Sequence, residues 1–184
     1  MNYLNTMGNL LSFGHTFSLR TEKDVKQLQL YCIINVLVLG FIYGCSAALF
    51  SRILLGESGF NAGSANMAKV IIAGIPVAFF MHAGAALFIW VFLKAMGGKA
   101  DFMSAYFHIG AAAISLWPLA PFAALLQAGM SSPPLTLIAG LLCIYAFAVN
   151  VKIIQTAFAL SALRMTLATA VTVMYISCFL YLWM

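Results

Sequence analysis

Residues 101–152 read DFMSAYFHIGAAAISLWPLAPFAALLQAGMSSPPLTLIAGLLCIYAFAVNVK, and between Asp101 and Lys152 there is no Asp, Glu, Lys or Arg. As one helix at 1.5 Å per residue the run would extend roughly 75 Å, more than twice the ~30 Å hydrocarbon core of a bilayer. It must therefore cross, turn and cross back, and Ser131-Ser132-Pro133-Pro134 stands where the turn is needed. The reading is an all-α polytopic membrane protein.

The remainder of the chain agrees. Hydrophobic residues make up 64% of the 184 and charged residues 7%, with a mean hydropathy of +1.03. Soluble domains carry about 25% charged residues because their surfaces face water. Most of this surface must face lipid instead, which leaves room for one bundle with short loops. The net charge of +5 does not point to nucleic acid, because the Lys and Arg flank apolar runs rather than forming a patch.

Five spans are expected. They cover about Leu30–Phe50, Val70–Leu93, Ser104–Leu126, Leu135–Thr156 and Met165–Trp183. A Gly/Ser/Asn-rich loop is expected at Leu55–Met67, and a tight turn at Gly97-Gly98-Lys99-Ala100-Asp101. Pro118 and Pro121 should kink the third span, since proline removes a backbone donor. Residues 151–163 read equally as loop or helix. Residues 1–29 form a short N-terminal segment in which Tyr3, Leu4, Met7, Leu10 and Leu11 recur at helical spacing, as in an amphipathic helix at the interface. Residues 30–184 form the membrane domain.

Charge asymmetry gives the orientation. With the N-terminus inside, Arg20, Lys23, Lys26, Lys94, Lys99, Lys152 and Arg164 fall on the cytoplasmic side. Only Arg52 and Lys69 fall outside, so the positive-inside rule favours N-in and C-out. Tyr175, Tyr181 and Trp183 then suit an outer aromatic belt.

Few residues carry chemistry. His82 lies mid-span, where polar side chains are expensive and usually face the bundle interior. It reads as a proton or solute contact, or as a neutral imidazole bonded to a carbonyl or serine; the structural reading is preferred. His108, Asn35, Asn150, Lys152 and Gln155 fall toward the cytoplasmic side, as a polar vestibule or as separate anchors, with Lys152 snorkelling to the headgroups. Gly40 and Gly44 make a GxxxG that lets a second backbone approach. Packing within the chain is preferred there to homodimerisation. Cys32, Cys45, Cys143 and Cys178 lack the close pairing a zinc site uses and read as free, buried hydrophobes. Neither metal nor cofactor is expected. The sequence contains no HExxH or GxSxG motif, no phosphate-binding loop and no carboxylate in a span interior.

From the second span onward the chain resembles the Yip family, membrane proteins named for interacting with Ypt and Rab GTPases, in its bacterial form. The residues that carry the likeness are Lys94-Ala95-Met96-Gly97-Gly98 with Phe102, then Pro118 and Pro121, then Leu160-Ser161-Ala162-Leu163-Arg164 leading into a last helix with Ala168. The resemblance implies a five-helix bundle with a cytoplasmic N-terminus. It also implies partner binding and membrane organisation rather than catalysis, in a bacterial cytoplasmic membrane. The long polar N-terminal region of eukaryotic members has no counterpart in the 29 residues before the first span. Protein partners or a second copy would bind through the helices. The alternative is a small transporter or channel subunit using His82 and the cytoplasmic-side polar residues.

Overall fold

The computed structural model describes residues 3–12, 22–59 and 64–183. Seven α-helices follow one another among them: α1 (Tyr3–Leu11), α2 (Glu22–Gly59), α3 (Ser64–Ala95), α4 (Phe102–Ala112), α5 (Leu119–Gln127), α6 (Pro133–Ala157) and α7 (Ala162–Trp183). A 3-10 turn, Ala113–Leu116, continues α4, and no strand occurs among the described residues. Three helices are long and apolar enough to cross a membrane, over Asp24–Phe50, Met67–Ala95 and Pro133–Ala157. The broken pair Phe102–Leu116 and Leu119–Gln127, bent by 75°, makes a fourth if it counts as one span.

The expected loop at Leu55–Met67 is largely helix. α2 runs on to Gly59 and α3 begins at Ser64, with residues 60–63 outside the described ones. Leu54 and Leu55 are good helix formers, and a single glycine costs a helix only about 1 kcal/mol. At 38 residues α2 is therefore roughly 57 Å long and projects beyond a ~30 Å core.

The bend in the third span has a local cause. The helix tightens to 3-10 geometry over Ala113–Leu116, then turns at Trp117-Pro118, and Pro118 caps α5. Pro121 sits in the first turn of α5, where a missing N–H has no helical partner to lose. Pro76, inside α3, leaves that helix continuous.

Three helix ends share one device. Gly97 bonds to Lys94 O while Gly98 bonds to Leu93 O. Gly129 and Met130 do the same to Leu126 and Leu125, and Ala159 and Leu160 to Thr156 and Gln155. These paired bonds are Schellman closures, which place the pivot residue in the left-handed region. Gly97 and Gly129 have φ of 86° and 87°, and the third pivot is an alanine, Ala159, with φ of 51°. The ambiguous stretch 151–163 is therefore helix to Ala157, a tight turn, and helix again from Ala162.

The α3–α4 and α6–α7 turns interlock. Lys99 N donates to Phe158 O at 3.2 Å, and a Cβ on Gly98 would meet Phe158 Cδ1 at 2.5 Å. Phe158 is fully buried against a core that includes Leu93, Ala105, Leu160 and Met165. Asp101 caps α4 by accepting from Ser104 N at 2.9 Å.

Candidate functional site

Helices α2 and α3 approach each other backbone to backbone. A Cβ on Gly40 would lie 2.8 Å from Gly74 O and from Ile75 Cα, and one on Gly44 2.8 Å from Ile71 O. Gly74 reciprocates, its notional Cβ 2.6 Å from Gly40 O. Gly40 and Gly44 thus face another helix of the same chain, with backbone against backbone. Gly74 belongs with them, and an isolated glycine in an apolar span was its only sequence signal.

His82 projects from α3 toward α4. Its Nε2 lies 3.1 Å from Tyr106 O, and its ring packs against that of Tyr106 with centroids 4.4 Å apart and the planes tilted by 57°. A carbonyl only accepts, so in this bond the ring hydrogen sits on Nε2. Cys32 Sγ of α2 lies 3.8 Å from the same nitrogen and 3.9 Å from the same carbonyl. Gly110 leaves the room for this junction, because a Cβ there would overlap Cys32 Sγ and reach within 3.0 Å of His82 Nε2. His82, Cys32 and Tyr106 lace α2, α3 and α4 together.

Asn35 anchors a second group and is completely buried. Its Nδ2 donates to Ala111 O at 2.7 Å and approaches Met7 Sδ at 3.4 Å. Its Oδ1 accepts from Tyr3 Oη at 2.5 Å, and its backbone carbonyl accepts from Trp117 Nε1 at 3.0 Å. Burial, with Tyr31 beside it, pushes the Tyr3 phenol above its ordinary range, so Tyr3 stays a neutral donor. Nearby, Asn150 Nδ2 donates to Ala146 O at 2.8 Å and to Ser115 Oγ at 3.4 Å, while Ser115 Oγ donates to Ala112 O at 2.7 Å.

The residues expected on the cytoplasmic side therefore divide rather than converge. His108 Nδ1 donates to Ser104 O of its own helix at 2.7 Å. Lys152 is exposed, and Gln155 is half-buried. Asn35 and Asn150 are drawn instead to the α4 corner, by Ala111 and Ser115 respectively. Tyr3, Ser115 and Trp117 complete these groups, and short-range spacing gave no sign of them.

Among the cysteines, Cys32 is buried, Cys45 half-buried and Cys143 exposed. Cys143 thus lies outside the core, on an outward face of α6. Cys178, Tyr175, Tyr181 and Trp183 have side chains outside the described residues. One buried side-chain oxygen among those described, Thr169 Oγ1, has no partner. Among the described residues no three His, Cys, Asp or Glu gather in a metal-binding group.

No family model matches the chain, and neither a characterised protein nor a solved structure matches it. Fold and site together define an all-helical protein with three to four helices fit to cross a membrane. Several of its buried polar side chains are used to join those helices.

Proposed function

We propose that the chain is a five-span integral protein of a bacterial cytoplasmic membrane, with its N-terminus inside, and that it acts as a non-enzymatic scaffold or interaction partner. One observation carries the reading. The polar side chains at bilayer depth are bonded into helix junctions: His82 to Tyr106 O, Asn35 to Ala111 O, and Asn150 to Ser115. A solute path needs polar groups free to exchange partners with its cargo, whereas these hold the bundle's shape. The residues quoted for the Yip likeness favour the same role.

Five spans need the bent pair to count as one and α7, 22 residues long, to count as another. The charge pattern supports that topology. Lys94, Lys99, Lys152 and Arg164 are exposed at the interlocked end of the bundle, which the positive-inside rule assigns to the cytoplasm. Reporter fusions at Ser12, in the Gly97–Asp101 turn and at Ser161 are expected to read cytoplasmic. Fusions at Ser132 and after Met184 are expected to read the opposite side. A cytoplasmic C-terminus would remove the fifth span.

The function is tested in proteoliposomes. Wild-type protein is expected to carry no proton or solute flux above empty vesicles. His82→Ala should lower stability by about 1–3 kcal/mol, because it removes a donor to the part-buried carbonyl of Tyr106, and thermal unfolding in detergent measures this. A pH-dependent flux in the wild type that disappears in His82→Ala would replace the scaffold by a transporter.

A further inference from the structure

The α3–α4 and α6–α7 turns bring three cations together around Gly97. Lys94 closes α3, and its carbonyl accepts from Gly97 N at 3.0 Å. Lys99 follows two residues later, and its own N–H holds Phe158 O of the other turn. Arg164, in the first turn of α7, lays its guanidinium on Gly97, where a Cβ would meet Arg164 Nη1 at 3.1 Å. Gly97 therefore supplies the positive φ of its turn and the room for that guanidinium. Leu93, Phe158 and Met165 share one core cluster beneath the two turns, so the backbone that carries the cations is held fixed.

All three side chains are exposed, and among the described residues none is paired with a carboxylate. The one acid of the two turns, Asp101, is engaged with α4, where it accepts from Ser104 N. Like charges gathered at one place repel, and an anion that bridges them removes the cost. Guanidinium and ammonium groups together suit a phosphate, the first as a two-pronged donor and the second as a point charge. Depth and surroundings decide which phosphate. The cluster stands where the apolar spans Met67–Ala95 and Pro133–Ala157 end, which is the level of lipid headgroups. One turn deeper, Val91 lies on the face of Lys94 and Leu167 on the face of Arg164, 52% and 50% exposed. A soluble phosphate uses the cations alone, whereas an amphiphile uses these apolar side chains as well.

We infer that Lys94, Lys99 and Arg164 form a binding site for the phosphate of an anionic phospholipid headgroup, with its acyl chains lying along Val91 and Leu167. The positive-inside pattern places cations near span ends in general. What singles out these three is their convergence on one glycine from two interlocked turns. The inference goes beyond the scaffold reading and holds equally for a transporter.

The probe is tail-labelled phosphatidylglycerol, titrated onto the full chain in a neutral detergent. Unlabelled phosphatidylglycerol is expected to displace it at least about ten-fold more effectively than phosphatidylcholine. Inorganic phosphate should displace it no better than sodium chloride of equal ionic strength. Lys94→Gln and Lys99→Gln should each weaken binding about five-fold, the equivalent of ~1 kcal/mol per cation, and Arg164→Gln should weaken it more. Arg164→Lys should recover part of that loss, since it restores the charge without the planar fork. Lys69→Gln, at the opposite end of α3, is the control and should bind as wild type. Should Arg164→Gln lower the melting midpoint, the two lysine variants carry the test, because their side chains lie outside the core. Unchanged affinity in both would overturn the proposal. So would equal displacement by phosphatidylcholine, which would mean that the tails alone bind. Specific displacement by inorganic phosphate would overturn the lipid assignment in favour of a soluble anion. A loss in Lys69→Gln as large as in Lys94→Gln would overturn the site, since net charge rather than the cluster would then set the affinity.

Discussion

Gly74→Leu is expected to lower the stability of the bundle by on the order of 3 kcal/mol, the upper end of what overpacking costs. No side-chain rotation relieves it. The atoms that a Cβ on Gly74 would strike are Gly40 O at 2.6 Å and Gly44 Cα at 3.0 Å, and both are backbone. Helices α2 and α3 would have to separate along the seam that brings them together. Gly44→Leu should act in the same direction, against Ile71 O and Ile71 Cα. Gly84→Leu and Gly140→Leu are the controls, since a Cβ at either position meets nothing within 4 Å. The check is the unfolding midpoint in detergent alongside size-exclusion elution. An unchanged midpoint for Gly74→Leu, with the controls also silent, would mean the seam is not a tight contact.

Phe158→Ala should cost about 3–5 kcal/mol, the usual range for truncating a buried aromatic side chain. The ring is fully buried and is packed where the two interlocked turns meet. Its removal leaves a cavity beneath Gly98 and also loosens the α6–α7 turn, which already holds Ala159 in the left-handed region. Both losses should appear as a lower melting midpoint and as faster proteolysis between Phe158 and Ala162. Phe158→Leu, which keeps most of the volume, should recover much of the midpoint. A Phe158→Ala midpoint equal to wild type would show that the ring is not part of the core.

The two turns differ in how openly the sequence announces them. Gly97-Gly98 marks a helix end because glycine enters the left-handed region without a Cβ penalty. The α6–α7 end has the same hydrogen-bond pattern built on Ala159. Alanine is the best helix former and marks no helix end, so residues 151–163 read equally as loop or helix. The turn buries Phe158 and Leu160 on either side of Ala159, packing that has no local marker. The same contrast holds between Pro118, where an absent donor announces a bend, and the 75° angle that no residue announces.

Helicity and the presence of several apolar helices long enough to span were determined by the sequence alone, because each depends on residues within one or two turns of each other and on the length of a run against the thickness of a bilayer. Gly40 and Gly44 were legible as a contact face for the same reason, through spacing on one helix. Their partner, Gly74, was decided only in three dimensions. So were the bonds of His82 to Tyr106, of Asn35 to Ala111, and of Tyr145 to Leu11 across 134 positions. A buried polar group must find a partner wherever the fold brings one, and which carbonyl or hydroxyl that is depends on how the helices cross. The docking of α1 belongs with these, since Met7 and Leu10 are buried only once α2, α4 and α6 have assembled.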